Sequence, residues 1–111
     1  MNIKKYVIGS IVFLAACGTA VKTGVPAQSD ADRATAKFPG TTLAELNKGK
    51  IAYEANCGNC HGLKNPLKYS EEEWRKEVPP MAKKAKVDAA TEELILKYVV
   101  TMSGASPAPS K

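Results

Sequence analysis

Apolar and polar positions divide the chain into one dense apolar run, a mixed stretch without period, and three helical patterns. Residues 6–16 are dominated by apolar side chains behind Lys4 and Lys5. That run is too short for a stable membrane-spanning helix and has the charged and apolar regions of a secretory signal peptide over 1–16. Residues 18–40 mix Ala, Thr, Ser, Asp, Gly and Pro with no sustained apolar period, which predicts a flexible tether. As a free coil it would span about 25 Å r.m.s.. Over 42–56, Leu46, Gly49, Ile51 and Tyr53 have roughly helical spacing, and Thr42 with Glu45 can form a capping box. Gly49 in mid-helix costs about 1 kcal/mol relative to Ala, which a close helix crossing would justify, with Tyr53 on the same face.

Residues 62–69 read as a loop turning at Asn65-Pro66. A short helix is expected over 70–78, capped by Ser70 and Glu73 and stopped by Pro79-Pro80. Residues 88–103 give the clearest helix: Asp88 caps it, Gly104 ends it, and Leu94, Ile95, Tyr98, Val99 and Met102 form its apolar stripe. The Pro/Ser-containing tail, 105–111, is expected to be disordered. No alternating strand pattern and no internal repeat occur, so an all-α domain is expected over 41–104, with 17–40 as its tether.

The 111 residues suffice for one small domain. Without the leader and tether, about 60–65 residues remain, marginal for a self-sufficient core. The net charge of +5 includes the leader lysines. Between Thr41 and Gly104 there are ten Lys/Arg against nine Asp/Glu, so nucleic-acid binding has little support.

The chemistry concentrates in Cys57-Gly58-Asn59-Cys60-His61. This is the C-x-x-C-H pattern of covalent c-type haem attachment. Two thiols add across the porphyrin vinyl groups, and the following imidazole can take an axial position on the iron. A covalently held haem would also supply the apolar centre that so short a domain lacks. Other uses of the cysteines are half of a zinc site, which needs four ligands, and a thiol redox pair, which belongs beside a strand–helix context.

Leu14-Ala15-Ala16-Cys17 resembles the lipobox of bacterial lipoproteins. The resemblance implies cleavage before Cys17 and lipidation of its thiol, tying the chain to a membrane of the cell envelope on its periplasmic or extracytoplasmic side. The alternatives are an uncleaved anchor and an ordinary leader with an incidental cysteine.

His61 is the only histidine, so a second axial ligand must come from elsewhere. Met81 follows the two prolines on an expected loop, and a soft thioether would suit iron. Core filling by Met81 is the alternative use, and Met102 is the rival methionine. Trp74 either packs in the core or gives its N–H to a haem propionate. Lys83, Lys84 and Lys86 form either a solvated face or a docking patch for acidic partners.

Taken together, residues 42–103 resemble a class I c-type cytochrome, as in small bacterial mono-haem domains. The resemblance rests on Gly49 and Tyr53 four residues apart, Cys57-Gly58-Asn59-Cys60-His61, the stretch from Tyr69 to Trp74 followed by Val78-Pro79-Pro80-Met81, and Tyr98 in the last helix. It implies three to four helices around one haem c, held covalently by Cys57 and Cys60 and axially by His61 and Met81. It further implies a monomeric, lipid-anchored electron carrier of the cell envelope, not an enzyme, whose partners are redox proteins with acidic docking faces. Two other functions stay open: a five-coordinate haem that senses a gas or reduces peroxide, and a haem-free thiol oxidoreductase. Pro66 lies five residues after His61, earlier than the proline whose carbonyl contacts the haem histidine in that family.

Overall fold

The computed structural model describes residues 23–58 and 62–104. The leader, Cys17, Cys60, His61 and the tail over 105–111 lie outside the described residues. Four α-helices follow one another: α1 (Gln28–Ala34), α2 (Leu43–Cys57), α3 (Glu71–Ala85) and α4 (Ala89–Ser103). A 3-10 turn, Pro66–Lys68, sits between α2 and α3. No strand occurs among the described residues, so the domain is all-α, as the periodicity predicts.

Local chemistry sets the helix starts. Thr42 and Glu45 form a reciprocal capping box on α2, and Ser70 and Glu73 form one on α3. Asp88 accepts from the Thr91 N–H at 2.7 Å and caps α4. In the turn, Asn65 Oδ1 accepts from the Leu67 N–H at 3.0 Å, which closes the Asn65-Pro66 corner.

α4 is the central helix, packed against α1, α2, α3 and the 3-10 turn. Ile95, Tyr98, Val99, Val100, Thr101 and Met102 are all buried on it. Its buried surface is therefore broader than the expected stripe, because α1 covers a side that the tether reading left to solvent. Gly49 is where α2 crosses α4. A Cβ built on it would lie 2.1 Å from the Leu94 carbonyl oxygen and 2.8 Å from Tyr98 Cβ. Tyr53 and Tyr98 rings meet beside this crossing at 5.9 Å, and Tyr53 meets Trp74 edge-on at 5.9 Å. Ile51 does not join them and is 65% exposed. Two residues along a helix turn a side chain by about 200°, away from the face of Tyr53.

Two expectations need correction. Residues 23–40 are not a free tether over their described length. α1 buries Ala31 and Ala34 against Leu46, Arg33 Nη2 donates to the Thr101 carbonyl at 2.8 Å, and Tyr98 donates to the Gly24 carbonyl at 2.9 Å. Small alanines allow close approach without an apolar period that a sequence scan would register. Gly24 takes φ +65°, with Met102 Cε only 3.0 Å from where a Cβ would stand.

The second correction concerns α3, which does not stop at Val78. It runs through Pro79 and Pro80 to Ala85. The prolines have no N–H, so the carbonyls of Arg75 and Lys76 lose their helical donors. Both of those residues are exposed, where water can serve the carbonyls. Val78 and Ala82, buried on either side of the prolines, hold the helix on the core.

A candidate cofactor cleft between the second and third helices

The end of α2 and the second half of α3 line a cavity of about 390 Å³, which Gly62, Lys64, Glu77 and Lys84 also border. A small inner recess of about 10 Å³ continues it between Trp74, Val78, Val87 and Ile95. From α2 come Tyr53, Asn56 and Cys57, at i, i+3 and i+4 on one face. From α3 come Trp74, Val78, Met81, Ala82 and Ala85, at i, i+4, i+7, i+8 and i+11. That stripe exists only because the helix continues through the prolines. Met81 therefore faces the cleft from a helix, not from the expected loop.

Cys57 and Met81 line the same cavity from opposite helices. Met102 is buried against the N-terminal segment near Gly24, and it is absent from the described cavity lining. Burial pushes the Cys57 thiol up from its ordinary pKa, so at neutral pH it is held as a neutral thiol.

Tyr53 ties α2 to the chain at Lys64. Its hydroxyl donates to the Lys64 carbonyl at 2.5 Å and accepts from the Lys64 N–H at 3.0 Å. One side chain of α2 thus fixes the backbone at Lys64, on the far side of the C-x-x-C-H sequence. Burial raises the Tyr53 pKa to about 12, outweighing the opposing Lys64 hydrogen bond, so the hydroxyl keeps its proton at neutral pH. This clasp was not read from the sequence, although Tyr53 and Cys57 are visibly one helical turn apart.

Trp74 is fully buried, and its indole N–H donates to the Pro66 carbonyl at 3.1 Å. Of the two uses open to Trp74, core packing is the one found, and the only N–H of this side chain is used inside the fold. Pro66 and Trp74 join the 3-10 turn to α3, with the Tyr69 ring edge-on to Trp74 at 5.2 Å.

Charge gathers along the cavity lining. Lys64 Nζ lies 3.8 Å from Glu77 and 5.1 Å from the centre of the Tyr69 ring. Lys84 lines the cavity too. Lys83, Lys84 and Lys86 are all exposed at the end of α3, with Lys86 in the left-handed conformation at φ +56°.

A volume near 390 Å³ lies within the range of small-molecule and cofactor sites, about 300–1,000 Å³. Tyr53, Met81 and Ala85 give it apolar wall, and Lys64, Glu77 and Lys84 give it charged groups, a mixture that suits an apolar ring bearing carboxylates. The donor set is also suitable in kind, with a thiol and a thioether facing one space. The described residues fit a haem in these respects. Among the described residues, no helix is long and apolar enough to cross a membrane. No family model, curated protein or solved structure matches the chain.

Proposed function

We propose that the chain is a lipid-tethered mono-haem c-type cytochrome that passes single electrons between redox partners in the bacterial cell envelope. The observation that carries this reading is Cys57 and Met81 facing one cavity from α2 and α3, with Cys60-His61 completing the attachment motif in the sequence. In this reading Cys57 and Cys60 hold haem c covalently, and His61 and Met81 supply the axial ligands. The haem supplies one-electron chemistry. The chain holds it, keeps its face dry with Val78, Ile95 and the Trp74 ring, and braces the motif through Tyr53. A thiol redox pair is less well supported, because it belongs beside a strand–helix context, whereas the described residues flanking Cys57 are helix and turn.

The test is a haem stain on a denaturing gel, followed by absorption spectra of oxidised and reduced protein made with its own leader. A stained band and a low-spin spectrum are expected. Met81→Ala should lower the reduction potential, because a soft ligand is lost, and should open the iron to carbon monoxide. An unstained protein would leave the thiol reading; a wild type that already binds carbon monoxide would favour the gas-sensing or peroxide-reducing one.

Lys83, Lys84 and Lys86, exposed beside the cleft, form the docking patch for acidic partners in this proposal. Reversing their charges should slow bimolecular electron transfer and flatten its dependence on ionic strength. An unchanged rate at low salt would make the cluster a solvated face only.

A further inference from the structure

If residues 18–40 were wholly free, they could stretch about 80 Å from Cys17. Their described part is instead built into the domain. Thr23 Oγ1 donates to Glu54 at 2.5 Å, Gly24 accepts from Tyr98, and Arg33 reaches the Thr101 carbonyl. Thr23 follows Cys17 by six residues, a reach of at most about 20 Å. The chain therefore meets the domain at Glu54, close to any lipid carried by Cys17.

The surroundings of that point have their own character. Val25 is 77% exposed and Ile51 is 65% exposed. Val25 lies two residues beyond Thr23, and Ile51 lies three residues before Glu54 on α2. Lys48, exposed, is a further three residues back on the same side of the helix. At about 100° per residue, this side of α2 is turned some 200° from Tyr53, whose face lines the cleft.

We infer that the outer face of α2, with Val25 and Ile51, seats against the headgroup region of the membrane that holds the Cys17 lipid, leaving the cleft away from that surface. The six-residue reach and the two exposed apolar side chains beside its end argue for this occupant: amphipathic surfaces bind there through apolar area, supported by basic residues. This inference rests on the lipid-anchor part of the proposed function and is independent of the haem.

The test compares amine labelling of the full lipidated chain on phosphatidylcholine–phosphatidylglycerol vesicles with that of the Cys17→Ser chain in solution, using a membrane-impermeant reagent and peptide mass mapping. Lys48 should be labelled several-fold more slowly on vesicles, while Lys76 and Lys83 should be unchanged. A lipidated Val25→Glu, Ile51→Glu chain should still sediment with vesicles but regain labelling at Lys48. Equal labelling of Lys48 in both settings, in a chain shown by mass to carry lipid, overturns the seating alone. A chain that carries no lipid and stays in the supernatant overturns the anchor and the seating together.

Discussion

At Gly49 one hydrogen atom decides how near two helices can come. The Leu94 carbonyl occupies the space that any side chain would enter, and backbone cannot rotate aside as a flexible side chain can. Gly49→Ala should therefore destabilise the domain by about 3 kcal/mol or more, through forced separation of α2 and α4. Denaturant unfolding checks this; a loss under about 1 kcal/mol would mean that the helices slide apart at little cost. Tyr53, four residues on, stands at the same crossing and also clasps Lys64. A single turn of α2 thus joins the packing of the core to the backbone at Lys64.

The element that most shapes the cleft is α3. Helix propensity would end it at Val78, since each interior proline costs about 3 kcal/mol. Its apolar face wins because Trp74, Val78 and Ala82 are buried in register along it, and a break would expose the last of these. The far end carries a separate strain, with Lys86 at φ +56°. A β-carbon is disfavoured there and glycine is not. Lys86→Gly should raise stability by about 0.5–1 kcal/mol, the relief being partly offset by a more flexible unfolded chain. A urea midpoint that shifts upward would agree; a downward shift would mean that the Lys86 side chain contributes more than its backbone costs.

Across the whole molecule, two carboxylates, Glu54 and Glu71, hold the N-terminal segment to the helices, and a third, Asp88, caps α4. The Lys50 hydrogen bond, and then that of Thr23, keep Glu54 below the usual carboxylate range. The hydrogen bond from Lys37, and then that from Arg75, does the same for Glu71. Asp88 is lowered by the Thr91 side-chain and backbone hydrogen bonds. A lowered folded-state pKa means that the unfolded chain binds the proton more readily. The stabilisation is therefore complete near neutrality and is lost as pH falls below the ordinary carboxylate value of about 4. Melting temperature should hold steady from pH 7 to about 5 and drop below about 4. Glu54→Gln with Glu71→Gln should make that drop shallower, and an unchanged acid profile would show that these pairs do not couple to folding.

What the sequence determined by itself is what acts over a few residues. The capping boxes at Thr42 and Ser70, the cap at Asp88 and the all-α class were legible because their signals are local or periodic. The close crossing was legible in outline, since a glycine in mid-helix with an aromatic one turn later asks for a neighbour. The C-x-x-C-H motif is likewise a local pattern, legible in five consecutive residues. Tertiary structure alone decided that α3 outlasts its prolines, that Trp74 gives its N–H to Pro66, and that residues 23–40 belong to the domain. Each of these depends on partners brought in from elsewhere. The Tyr98 bond to Gly24 joins positions 74 residues apart, and no window along the chain contains both. The cleft itself is of this kind, because Cys57 and Met81 share a space only after α2 and α3 have packed on α4.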